Sequence, residues 1–249
     1  MSFLSLAGLI LIIFSIILLI GLSLLKDRVK ASFRDIPAFS KFQKALGTAV
    51  EDGSRIHFSL GSSNTVGSRS AASFISLSVL RHSTELSAAS DKVPFATSGD
   101  AALSILSQDN LKTAHHAAGA DQQYDPGSGR LAGITPFSYA AGALPVIYDE
   151  DVSANILAGG FGVEVGLLSD AAERKRAFTL AAADSLPAQA VLYASAQEPL
   201  IGEELFASGA YLDAGRAHIV SLYAQDILRW LLIIALIGGA VLKLLAGLL

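Results

Sequence analysis

Ile56-His57-Phe58-Ser59-Leu60-Gly61-Ser62-Ser63-Asn64-Thr65-Val66-Gly67-Ser68-Arg69-Ser70, continued by Ala71–Ser87, reads as a strand, a glycine- and serine-rich turn and a helix in succession. The compact run Ile56–Leu60 follows the turn residues Glu51-Asp52-Gly53-Ser54, and Phe74, Ile75, Leu77, Leu80 and Leu86 then recur at helical spacing. The same pairing repeats along the chain. Val93–Thr97 and Asp100–His116 form a second unit, then Leu131–Ile134 with Phe137–Tyr148, which Pro145 ends or kinks. Asn155–Ala158 with Val163–Arg176, and Phe178–Ala182 with Pro187–Ala196, complete five alternations. Short apolar strands joined by helical crossovers predict an α/β domain, a Rossmann-like, mostly parallel sheet flanked by helices. After Glu198 the pattern stops, and Pro199–Gly209 is expected to be a short helix, with Tyr211–Ala217 a loop.

In such a sheet, ligands bind beyond the carboxyl ends of the strands, where helix N-termini offer free backbone donors. Four turns carry glycine or acidic residues there: Gly61–Ser70, Ser98-Gly99-Asp100, Gly159-Gly160-Phe161-Gly162-Val163-Glu164, and Asp184-Ser185. The candidate ligand-binding residues are Gly61, Ser62, Ser63, Asn64, Gly67, Ser68, Arg69, Gly99, Asp100, Gly159, Gly160 and Asp184. In the first turn, amides, hydroxyls and the Arg69 guanidinium suit a phosphate. Its two glycines are spaced unlike those of G-x-x-x-x-G-K-[ST] and no lysine follows; the G-x-G-x-x-G spacing is missing too. Each loop also has a purely structural use: Asp100 and Asp184 occupy natural N-cap positions, and Glu164 suits a first helical turn. Were the loops to converge, Asp100, Glu164 and Asp184 would form an acidic rim able to hold a divalent ion. The sequence names no cofactor.

Both ends of the chain are apolar. Phe3–Leu25 has no charged side chain and Trp230–Leu249 has only Lys243. At ~1.5 Å per helical residue these reach ~34 Å and ~30 Å, enough for one N-terminal and one C-terminal transmembrane helix. Lys26, Arg28, Lys30 and Arg34 follow the first span and Arg229 precedes the second, so the basic residues put the intervening domain in the cytoplasm. The expected layout is a two-pass protein of the cell membrane: spans 3–25 and 230–249, a helical stalk 26–48, the Rossmann-like domain 49–216 and a linking helix 217–229. No basic n-region precedes the first apolar run, which argues against a cleaved signal peptide. Trp230 fits an interfacial anchor and Lys243 a side chain reaching for headgroups. Gly238, Gly239 and Ala240 make a notch that another helix could approach.

Composition excludes some classes. A net charge of −4 gives no basic face for nucleic acid. The absence of cysteine fits a cytoplasmic domain, and neither H-x-x-x-H nor G-x-S-x-G occurs. His115 and His116 are adjacent, so on a helix end they diverge by about 100° and do not chelate one ion together. No nucleophile–base pair emerges. The charged residues are sparse and alanine is abundant, which points to surface covered by partners.

Glu198-Pro199-Leu200-Ile201-Gly202-Glu203-Glu204-Leu205-Phe206-Ala207-Ser208-Gly209-Ala210-Tyr211-Leu212 resembles a signature of a bacterial and archaeal membrane-protein family described only as a domain of unknown function. Ile36-Pro37-Ala38-Phe39, His57-Phe58-Ser59-Leu60-Gly61 and Gln225-Asp226-Ile227-Leu228-Arg229-Trp230 agree with it. The resemblance implies the membrane-anchored layout and carries no catalytic residue. The expected partners are the lipid bilayer and copies of the chain or a membrane complex, with a small-molecule ligand as the alternative and no nucleic acid. The expected function is a structural or interaction component rather than an enzyme. The alternative is a domain that binds a nucleotide or other phosphorylated small molecule through Gly61–Ser70.

Overall fold

The computed structural model describes residues 3–24, 33–67, 70–88 and 90–246. In chain order its elements are α1 (Phe3–Leu24), α2 (Pro37–Glu51), β1 (Arg55–Gly61), α3 (Ser70–Ser87), β2 (Phe95–Ser98), α4 (Ala101–Ala117), β3 (Gly129–Leu131), α5 (Pro136–Asp149) and β4 (Val152–Gly160). There follow α6 (Val165–Arg174), β5 (Phe178–Ala183), α7 (Leu186–Ser195), β6 (Glu198–Leu200), α8 (Glu204–Tyr211) and α9 (Arg216–Ala246). They divide into two units, one holding α1 and α9 and the other Arg34–Ala214.

The larger unit is the expected α/β fold. Its six strands are all parallel in the order β3-β2-β1-β4-β5-β6. Parallel neighbours require a crossover, and helices supply each one. Several helix starts are written locally. Asp100 caps α4 by accepting from the Leu103 amide at 2.9 Å, and Thr135 and Ser138 form a capping box ahead of α5 with Pro136 in its first turn. The sheet's two faces bury separate cores. Ile56, Phe58 and Leu60 of β1 join Ile156, Leu180 and Leu200 beneath α2, α3, α4 and α8. Leu157 and Ala181 lie on the other face with Tyr139, Phe161, Leu168 and Leu192 from α5, α6, α7 and the loop after β4. Burying such a side chain is worth roughly 1.5–3 kcal/mol each.

Several boundaries differ from the sequence reading. β3 ends at Leu131 where a strand was expected to begin, and β6 occupies Glu198–Leu200 where a helix was expected. Both are three-residue edge strands, too short to display a period. Of the segment expected as a stalk, residues 26–32 lie outside the described ones. The rest contains α2, which buries Phe39, Phe42 and Leu46 in the domain core and stacks Phe39 on Tyr211 with ring centroids 4.8 Å apart. Its mixture of basic and apolar residues is that of a helix with one buried face.

In the smaller unit α1 and α9 pack against each other. Over Arg216–Leu245, α9 is long and apolar enough to cross a membrane, with a mean hydropathy of 2.1 in its most apolar window. By the same standard Gly8–Leu24 counts as a shorter apolar helix, so one of the two expected spans is met among the described residues. The helix runs unbroken from Arg216, which merges the expected linker and span.

Gly61 holds φ +87°, and a Cβ there would collide with the Gly160 carbonyl oxygen on the neighbouring strand. Gly47, exposed on α2, has nothing within 4 Å of the point where a Cβ would stand. In thermal denaturation of the detergent-solubilised chain, Gly61→Ala should cost about 2–4 kcal/mol or abolish folding, whereas Gly47→Ala should stabilise by about 0.5–1 kcal/mol.

Candidate functional site

The strand order reverses direction between β1 and β4, and the crevice outside such a switch point is where open α/β sheets bind ligands. The sequence-selected loops do meet there. The amides of Ser62 and Ser63 donate to the Gly160 carbonyl at 3.0 and 3.2 Å, and the Gly99 amide donates to the Gly61 carbonyl at 2.8 Å. A Cβ on Gly99 would stand 2.7 Å from Ser62 Cα, and one on Gly160 would lie 3.6 Å from Asp184 Oδ1. The glycines thus admit the protein's own backbone where a dinucleotide-binding turn admits pyrophosphate.

The charges at this end are committed in the same way. Glu164 is buried, and its Oε1 accepts from the Gly162 amide at 2.9 Å and the Ser62 hydroxyl at 3.1 Å. Asp100 accepts from Thr65 at 3.4 Å besides capping α4. The N-cap of α7 is Ser185, which accepts from Ala188, so Asp184 lies one residue ahead of the capping position expected for it. Asn64 and Gly67 belong to the exposed part of the first loop, and Ser68 and Arg69 lie outside the described residues. Among the described residues no three His, Asp or Glu side chains gather as a metal site. A buried carboxylate beside amides already bonded to Gly160 disfavours a phosphate.

Around this closed crevice stand exposed apolar side chains. Val66 follows β1, Ile134 and Phe137 follow β3, Val163 follows β4 and Leu186 follows β5; their exposures are 86, 79, 64, 52 and 79%. All five lie on the turns that leave the carboxyl ends of the strands, because each precedes or opens the crossover helix.

A second constellation lies within the sheet, where the sequence reading expects uniformly apolar strands. His57, Ser59, Thr97 and Asn155 point to the face covered by α5, and all are fully or almost fully buried. His57 Nδ1 meets Asn155 Oδ1 at 2.7 Å and Nε2 meets Thr97 Oγ1 at 2.9 Å. An amide oxygen only accepts, so Nδ1 carries the proton and Thr97 donates to Nε2. Thr97 Oγ1 then lies 3.3 Å from the Tyr139 hydroxyl, which also meets Ser59 and receives the Gly61 amide at 3.4 Å. Burial raises the pKa of Tyr139, keeping its hydroxyl a donor. The Asn155 Nδ2 is buried without a partner. The histidine pair divides as expected: His115 turns inward to the Leu111 carbonyl and His116 outward to Asp121. His115 is buried rather than on the surface, because α4 packs that face on the domain.

Burial pushes the pKa of His57 down from 6.5 to about 4, although its hydrogen bond to Asn155 acts the other way. The unfolded chain takes up a proton near pH 6.5 and the folded chain only near 4, so this contribution is whole above pH 6.5 and is lost as pH falls to about 4. Over that window it amounts to roughly 3 kcal/mol. Chemical denaturation at several pH values should show His57→Gln less pH-sensitive than the parent by about that much; equal slopes would refute the assignment.

No curated protein and no solved structure matches this chain. The model of the family described as Domain of unknown function (DUF6754) matches residues 3–248, nearly the whole sequence, and the chain belongs to that family.

Proposed function

We propose that the chain is a membrane-anchored α/β module that associates with copies of itself through the carboxyl end of its sheet. The observation that carries this reading is the apolar rim of Val66, Ile134, Phe137, Val163 and Leu186 around a crevice the protein fills itself. Clustered apolar side chains on one end of a soluble fold mark an interaction surface. Two of the carboxylates at this end, Glu164 and Asp100, are taken up by their own loops, and Asp184 beside Leu186 is half-buried, which limits the charge a second rim must desolvate. Anchoring favours the same partner: α9, joined by α1 as a second span, confines every copy to one plane and raises its effective concentration. Arg34 and Arg229, on the domain side of the spans, support a cytoplasmic domain.

A nucleotide or phosphorylated ligand at Gly61–Ser70 is the second reading, supported by the β3-β2-β1-β4-β5-β6 order. The Ser62 and Ser63 amides given to Gly160 weigh against it. A nucleotide panel that raised the melting temperature of the full chain would favour it over self-association.

Alkaline carbonate washing should leave the chain in the membrane pellet. Light scattering of the detergent-solubilised protein should give a multiple of 25.9 kDa after the detergent is subtracted. Ile134→Asp with Leu186→Asp should reduce it to one copy while leaving the melting temperature within about 2 °C, since both side chains are exposed. A parent of single-copy mass refutes the reading.

A further inference from the structure

On the α5-covered face of the sheet, near the β3 edge, a cavity of about 330 Å³ lies between β2, β3 and the carboxyl-terminal half of α5. It shares no lining residue with the carboxyl-end rim. Thr97 lines it, and through Thr97 it touches the buried His57–Tyr139 hydrogen bonds. Its other polar walls are Arg130, Asp149 and Glu150.

The cations there are firmly held yet loosely paired. The guanidiniums of Arg55 and Arg130 both lie over the Phe95 ring, 4.3 and 4.0 Å from its centroid. Glu150 stands between them at 3.6 and 3.5 Å, well beyond the ~2.7–2.9 Å of a charge-assisted hydrogen bond. Arg130 fixes its Nε on the Gly127 carbonyl at 2.8 Å, which leaves its terminal nitrogens facing the Glu150 side of the cavity. Asp125 also acts on Arg55, so the two guanidiniums are balanced by two carboxylates, and what leaves Arg130 open to a ligand is its long contact with Glu150. Asp149, in the same wall and exposed, supplies a separate negative charge.

We propose that this cavity binds a small zwitterion of the α-amino acid type, its carboxylate taken by Arg130 and its ammonium by Asp149. The volume is at the lower end of ligand sites and admits a small molecule. Separate opposite charges across one small cavity select a molecule that carries both, and a simple anion or amine satisfies only half of it.

The test uses the full chain in detergent and follows its melting temperature while glycine, alanine or serine is titrated, with acetate and propionate as matched carboxylates. At least one amino acid should stabilise the chain at a midpoint about ten-fold or more below that of its matched carboxylate. Arg130→Gln should abolish the response to both classes. Asp149→Asn should make alanine no better than propionate. Both residues are exposed, so each variant's own melting temperature without ligand shows that it has folded. The proposal is overturned if no amino acid stabilises the parent, if propionate equals alanine in the parent, or if both variants respond as the parent does.

Discussion

The Gly160 carbonyl, receiving the amides of both Ser62 and Ser63, is the contact on which the rest of this domain depends. It ties together the carboxyl ends of β1 and β4, the two strands at which the sheet changes direction. Only glycine at 61 and 160 lets the two strands come so close, because a Cβ at either position would meet backbone or the Ser63 side chain. Once that contact is made, the loop after β2 follows, since the Gly99 amide can reach the Gly61 carbonyl. The crevice that this topology usually leaves open is then closed by three of the protein's own turns. What remains outward is the apolar part of those turns.

The two faces of the sheet divide their work. Beneath α2, α3, α4 and α8 the sheet side chains are apolar, and helix hydroxyls buried there, such as Thr84, Ser87 and Ser107, are returned to carbonyls of their own helix. On the α5 face, a line of hydrogen bonds from Asn155 through His57 and Thr97 to Tyr139 crosses three adjacent strands. Each of these groups would be costly to bury alone. Together they fix the Nδ1–H tautomer of His57 and the direction of each hydroxyl, and they tie Tyr139 of α5 to the Gly61 amide. The same chain of contacts reaches the cavity that Thr97 lines.

Much of this fold is legible in the residues. The strand–turn–helix order after Ile56 and the capping role of Asp100 follow from periodicity and from turn residues. The polar row was visible as well, for His57 and Ser59 alternate with Ile56, Phe58 and Leu60 and so must face the opposite side of the sheet. Average hydrophobicity hides that alternation. β3 and β6 are too short to carry a pattern, and α2 resembles a stalk until its burial is known. The closure of the crevice depends on contacts between residues about a hundred positions apart, which spacing does not encode. Nor does it encode the use of the Gly61 turn, since the same glycines would serve a ligand or a neighbouring strand.

The chain contains no cysteine, so single cysteines placed at Ile134, Leu186 and the amino-end control Lys112 give a direct measure of whether the rim is covered in place. Labelling with a water-soluble maleimide in opened native membranes should be slow at positions 134 and 186 and fast at 112, with the difference vanishing after dissociation in harsh detergent. Equal labelling of all three in native membranes would contradict a covered carboxyl-end face and the self-association built on it.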